Sequence, residues 1–321
     1  MRKKNCFTKV LAVFLTALML LSVAPLAAMS DVLPKLDLDF DFAVTAHAEG
    51  STPYLTSGYC GDTSDGKDGK DIAWSLDADG TLTLTGTGKM GSTPNRADNR
   101  VKKLIVGEGI TVLCSYAFEA CQQLTQIVFP QTLETIENKA FYGDYRLLSV
   151  NLEHCKIIGE YAFYNTRITT ADLSACKRIE KNAFDNCLYL NTCLFSEELE
   201  VLEEYAFNRC RINMIEIPSS ITIVKQYTFC YNPISQITFH EGLQQIEDHA
   251  FDSANVQTLS FPDSLVKIGS SAFANCTSLT TLALGTGLNS IDTSAFNSCS
   301  CLAGEIVFPA NLTSVGYYAF N

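Results

Sequence analysis

Thirteen cysteines and four histidines are the side chains here with the greatest capacity for chemistry. A metal site needs Cys and His ligands at short, paired spacings, and none of these residues has them. Instead Cys121, Cys187, Cys210, Cys276 and Cys299 each lie three residues after a phenylalanine. So regular a placement reads as a buried slot, where a thiol acts as a small hydrophobe. Cys155 and Cys176 share a second slot, and Cys193 replaces an inward-facing isoleucine. The expectation is a ladder of free thiols, because side chains stacked in parallel rarely meet the disulfide dihedral. Cys60, Cys114, Cys230 and Cys301 fall outside these slots and are the better disulfide candidates. His154, His240 and His249 read as surface residues, and no G-x-S-x-G nucleophile motif is present. Asp62, Asp65, Asp68 and Asp71 are spaced by three. Calcium loops alternate their carboxylates by two and add a distal Glu, so this run reads as an acidic surface loop. Neither an enzyme active site nor a cofactor or metal site is expected.

What must position these residues is a repeat. An Ala-Phe pair recurs at Phe118, Phe141, Phe163, Phe184, Phe207, Phe251, Phe273, Phe296 and Phe320, with Thr228-Phe229 as the variant. Successive phenylalanines are 21 to 24 residues apart. Self-similarity at that period is the mark of a solenoid. Twelve residues before most of them sits an apolar residue such as Phe129, Phe195, Phe239 or Phe261, with Ile127, Cys193, Ile237 or Leu259 two residues earlier. That alternation describes a short strand with one face inward. Proline follows at 130, 218, 262 and 309, where the strand has ended and no ladder N–H is needed. Pairs such as Leu133/Ile136 and Leu265/Ile268 come next. The Ala-Phe segment then closes the coil, read as a short helical or 3-10 turn. One such unit cannot bury its own apolar face; stacked neighbours can.

With its L-x-x-I-x-F strand and its Ala-Phe-x-x-Cys ending (Phe118 to Cys121, Phe207 to Cys210, Phe273 to Cys276), the chain resembles the BspA-like leucine-rich repeats of bacterial surface proteins. The resemblance covers residues 101–321 in ten copies, the last incomplete. It implies a leucine-rich-repeat solenoid, with short parallel strands on one face, short helical or 3-10 turns, and a β-hairpin cap. Residues 49–100 are read as that cap region. Ile72–Leu76 and Thr81–Thr85 alternate around the turn cluster Asp77-Ala-Asp-Gly80. The run from Trp74 to Gly88 also looks like the cap that commonly precedes such repeats.

Residues 1–48 read as a signal peptide and leader. Arg2, Lys3 and Lys4 precede an apolar run, with cleavage after Ala28 or Ala48. No membrane insertion is expected once it is removed. The other end stops within the tenth repeat at Phe320-Asn321, which points to a fragment or a frayed last coil. The formal net charge is −12, which argues against nucleic acid and anionic membranes as partners.

The strand positions that face away from the core are Thr125 and Gln126; Thr169, Thr170 and Asp172; Asn213 and Glu216; Ser235, Gln236 and Thr238; Gln257 and Thr258; Thr280 and Thr281. Side by side they would form a continuous, mostly uncharged polar sheet about ten strands wide, the kind of surface solenoids use to bind extended partners. A second row, Tyr116, Tyr161, Tyr205, Tyr227 and Tyr318, reads as half-buried packing between coils. The resemblance implies a monomeric, secreted or cell-surface protein that binds an extracellular protein or glycoprotein in adhesion to host or neighbouring cells. Two other readings stay open: a spacer presenting a domain absent from this chain, or the non-catalytic part of a larger extracellular enzyme.

Overall fold

The computed structural model describes residues 56–94 and 98–321; the leader reading of residues 1–48 lies outside them. The coils stack one on the next, and a single column of rings runs through all ten. Consecutive phenylalanines from Phe118 to Phe320 are stacked with ring centroids 5.1–5.7 Å apart. The first nine are 0–1% exposed. A second ring meets the column edge-on or tilted in five coils: Phe129, Phe195, Phe239, Phe261 and Phe308. Offset and edge-to-face contacts of this kind add to the gain from area alone.

Three hydrogen-bonded ladders join coil to coil. The first is the expected strand row, for example Lys103–Val106 parallel to Gln126–Val128. The second is a row of two-residue strands, such as Thr135–Ile136, Ile157–Ile158 and Arg178–Ile179. It inserts Ile136, Ile158 and Ile179 into the core from another side. The third runs along the Ala-Phe segments, where Tyr116, Phe118 and Ala120 N–H donate to the Asn138, Ala140 and Tyr142 carbonyls of the next coil.

Where short helical or 3-10 turns were expected, these segments are turns closed by bonds three residues apart, such as Ala117 N–H to Cys114 O and Cys121 N–H to Phe118 O, and they do not lengthen into helices. The only 3-10 helix among the described residues is Ser64–Gly66. The residue two before each Phe has a positive φ in all ten coils, among them Tyr116 (60°), Lys139 (56°) and His249 (55°). The residue two after it does so in nine, among them Ala120 (58°), Gly143 (76°) and Asn165 (58°). A left-handed residue ends a right-handed helical turn, so a segment flanked by two of them cannot propagate one. Its alternate N–H groups are thereby aimed across at the neighbouring coil.

The hairpin is as expected. Ile72–Leu76 pairs antiparallel with Thr81–Gly86, Trp74 facing Leu84. Thr81–Gly86 in turn pairs in parallel with Lys103–Val106, so the hairpin supplies the neighbour that the first repeat strand would otherwise lack. Trp74, Leu82 and Leu84 are buried beneath it.

All described cysteines are free thiols, including Cys60, Cys114, Cys230 and Cys301, which the sequence offered as disulfide candidates. Cys60, Cys114 and Cys230 are buried and only Cys301 is exposed. In the ladder, the Cys187, Cys210 and Cys299 thiols donate to the carbonyls of Phe163, Phe184 and Phe273 one coil back. Burial pushes the Cys155, Cys176 and Cys187 thiols up to about 12, which keeps them protonated and able to donate.

Candidate functional site

The candidate face is the outer side of the first ladder. Its strands are three or four residues long because the sheet need only bury alternate residues, Ile215, Leu259 and Leu282 among them. Register brings Thr170 beside Thr192 and Asp172 beside Leu194. It likewise aligns Met214 with Gln236 and Glu216 with Thr238, and Thr258 with Thr281. Gln126 lies next to Lys103. Gln126, Thr169, Asn213, Glu216, Ser235, Gln236, Gln257, Thr258, Thr280 and Thr281 are exposed; Thr125, Thr170, Asp172 and Thr238 are half-buried.

These residues divide into two kinds. The hydroxyls of Thr125, Ser235 and Thr280 donate to the carbonyls of Lys102, Asn213 and Gln257 in the preceding coil. They staple coil to coil and have less to give a partner. Asp172 accepts the Ser174 amide, and Glu216 meets His240 Nε2 at 2.8 Å. Gln126, Gln236, Thr258 and Thr281, without such bonds, form the freer row. Thr192 and Leu194 lie on the same face, both half-buried, with the Thr192 hydroxyl donating to Asn191 Oδ1. They escaped the sequence reading although Thr192 has the same offset from Phe207 that Gln236 has from Phe251.

The face is not the continuous ten-stranded sheet expected from sequence. Strand pairing is interrupted after Val128, after Phe195 and after Thr238. At the first interruption the coil is shortened, Cys155 lying three positions after Leu152 where Leu133 lies four after Phe129. Backbone bonds still join coils that lack strand pairing, from Arg167 and Thr169 N–H to Leu147 and Leu148 O, from Arg211 N–H to Leu190 O and from Asn255 N–H to Ile234 O.

The tyrosine row is packed as expected where it is dense. Tyr205, Tyr227 and His249 form a stack with centroids 4.6 Å apart, while Tyr318 is largely exposed. The acidic loop satisfies itself: Asp62 accepts the Ser64 amide and hydroxyl and the Lys67 ammonium. Those bonds, the Ser64 amide foremost, bring its carboxyl down to about 2. His249 and His240 each face a carboxylate, of Asp252 and Glu216. Among the described residues no three His, Cys, Asp or Glu side chains are grouped to hold a metal. No helix among them is long and apolar enough to cross a membrane.

Residues 111–234 and 200–321 match the family model described as the BspA-type leucine-rich-repeat region. The chain belongs to this BspA-type family. Solved structures resembling these BspA-type repeats include a leucine-rich-repeat protein from Eubacterium ventriosum, 21% identical, TM-score 0.43, covering 82% of this chain and 94% of that one. A leucine-rich cell surface protein from Faecalibacterium prausnitzii is 19% identical, TM-score 0.43, covering 78% of this chain and 94% of that one. The pneumococcal vaccine antigen PcpA is 14% identical, TM-score 0.43, covering 77% and 76%. No curated protein matches the chain.

Proposed function

We propose that this BspA-type chain is an exported, non-enzymatic binding protein. It would engage an extracellular protein or glycoprotein through the strand face, in adhesion to host or neighbouring cells. The observation that carries this reading is the exposed, almost uncharged polar row Gln126, Gln236, Thr258 and Thr281. It is held by paired backbone in a fixed register, so a partner would be met by side chains ordered in advance. Charged residues are few on that row, which supports binding over catalysis. The leader at residues 1–48 supports export. Replacing Thr170 and Gln236 together by arginine places two bulky cations on the face without touching the core. Attachment of the purified chain to an epithelial cell monolayer should fall while the melting temperature holds. Unchanged attachment would remove the strand face from the account and favour a spacer role.

A further inference from the structure

We propose a second contact surface, at the corner between the Ala-Phe turns and the strand face, that takes an acidic segment of a partner protein. The inference rests on the reading that this protein binds proteins. It places the charge-dependent part of that binding away from the uncharged strand row.

The surface is a cleft of about 580 Å³ lined by Leu188, Tyr189, Arg209, Cys210, Arg211 and Tyr231. Leu188, Tyr189 and Tyr231 are each about half exposed, at 50%, 47% and 52%. The Arg167 guanidinium lies over the Tyr189 ring at 5.3 Å and that of Arg209 over Tyr231 at 5.7 Å. Each arginine thus rests on the aromatic ring of the following coil, a cation–π contact that restrains a long side chain before any partner arrives.

Charge adds to this. In a protein of net charge −12, six of the thirteen lysines and arginines of residues 101–321 have a carboxylate partner: Lys156, Lys177, Lys181, Lys225, Lys267 and Arg178. Among the described residues, Arg167, Arg209 and Arg211 form no ion pair. The acid nearest in effect, Asp185, draws on Arg209, but its carboxylate is buried and bonded to Asn182 and Asn208. Three exposed guanidinium groups beside two tyrosines and a leucine make the composition of a protein contact centre. Their forked donors fit a carboxylate.

The same contacts favour a polypeptide over an acidic glycan. A sugar stacks flat on an aromatic face, and one face of Tyr189 and one of Tyr231 already carry a guanidinium group. The half-exposed Leu188 beside them adds an apolar contact, suited to acidic side chains alternating with apolar ones. Tyr189 and Tyr231 stand two coils apart, roughly 10 Å at the spacing of neighbouring strands, enough for about three residues of extended chain.

The test uses a fluorescent peptide of alternating Glu and Leu at low salt, with an oligogalacturonate of equal charge as the glycan arm. Arg209 has φ 54°, so it is replaced by Asn, which tolerates that backbone. The variant Arg209→Asn, Arg211→Ala should weaken peptide binding at least about tenfold, the loss expected for charge-assisted hydrogen bonds. Its melting should be unchanged, and the Thr170→Arg, Gln236→Arg variant should bind the peptide as the parent does. No peptide binding by the parent, equal binding by the arginine variant, or equal affinity for oligogalacturonate would each overturn the inference. Failure here leaves the strand-face attachment assay untouched, because that assay reads different residues. Loss of attachment in it with peptide binding intact would separate the two surfaces.

Discussion

Asp144 occupies the position three after Phe141 that elsewhere holds Cys121, Cys187, Cys210, Cys276 or Cys299. It is fully buried, and neither carboxylate oxygen has a hydrogen-bond partner. Burial raises its pKa well above the usual carboxylate value, outweighing the opposing pull of the Cys121 backbone. The slot asks for a donor. Asn232, in the same place after Phe229, donates through Nδ2 to the carbonyls of Phe207 at 2.7 Å and Phe229 at 3.1 Å. Asp144→Asn should recreate those bonds to Phe118 and Phe141. An unsatisfied buried polar group costs about 1–3 kcal/mol, so the variant should be more stable by that amount at acidic pH. The folded chain holds a proton on Asp144 that the unfolded chain releases above about pH 4. Wild-type stability therefore falls as pH rises from there until the folded pKa is passed. The advantage of Asn should widen by up to about 1.4 kcal/mol per pH unit in that window. Urea denaturation followed by circular dichroism at pH 4, 6 and 8 reads both quantities. A destabilised variant, or a difference that does not change with pH, would refute the reasoning.

Three further outcomes follow from the same packing. Phe184→Ala, in mid-column, should cost about 3–5 kcal/mol in urea denaturation. Phe320→Ala should cost clearly less, since that ring is only partly buried and has a stacked neighbour on one side. Ala120, at φ 58°, should gain about 1 kcal/mol on replacement by Gly, which adopts that conformation without steric penalty; a loss in thermal melting would argue that its methyl packs usefully. Cys301 is exposed and Cys155, Cys176 and Cys187 are buried. Brief alkylation of the native protein, read by peptide mass mapping, should label Cys301 and spare the other three; equal labelling would contradict the thiol ladder.

The period, the phenylalanine column and the hairpin were legible because each leaves a local mark: a spacing, a ring, or alternation around Asp77–Gly80. The second ladder was not. A strand of two residues, Ile157–Ile158 for instance, is too short to show alternation, and its pairing is decided by the coil 22 residues before it. The turn geometry was hidden for a related reason. Tyr116, Lys139 and Tyr161 are poor choices for a left-handed backbone by local preference, and bonds to the next coil hold them there. The partial signal was at the other end of the segment, where Gly143, Asn165, Asn186 and Asn275 take up that conformation readily. On the candidate face, spacing found the outward residues but not which of them were already occupied. That Thr125 staples Lys102 while Gln126 is free depends on coordinates one coil away.

The coil as the unit of the fold is tested most directly by deletion. Removing Cys230–Phe251, one whole period, joins Phe229 to Asp252 and leaves the next ring, Phe273, 22 residues away as before. Removing only Cys230–His240 throws the column out of phase. Nearest-neighbour stacking predicts that the whole-coil deletion still unfolds cooperatively in urea, at somewhat reduced stability, while the half-coil deletion loses its cooperative transition. Equal behaviour of the two deletions would contradict a stack of interchangeable coils.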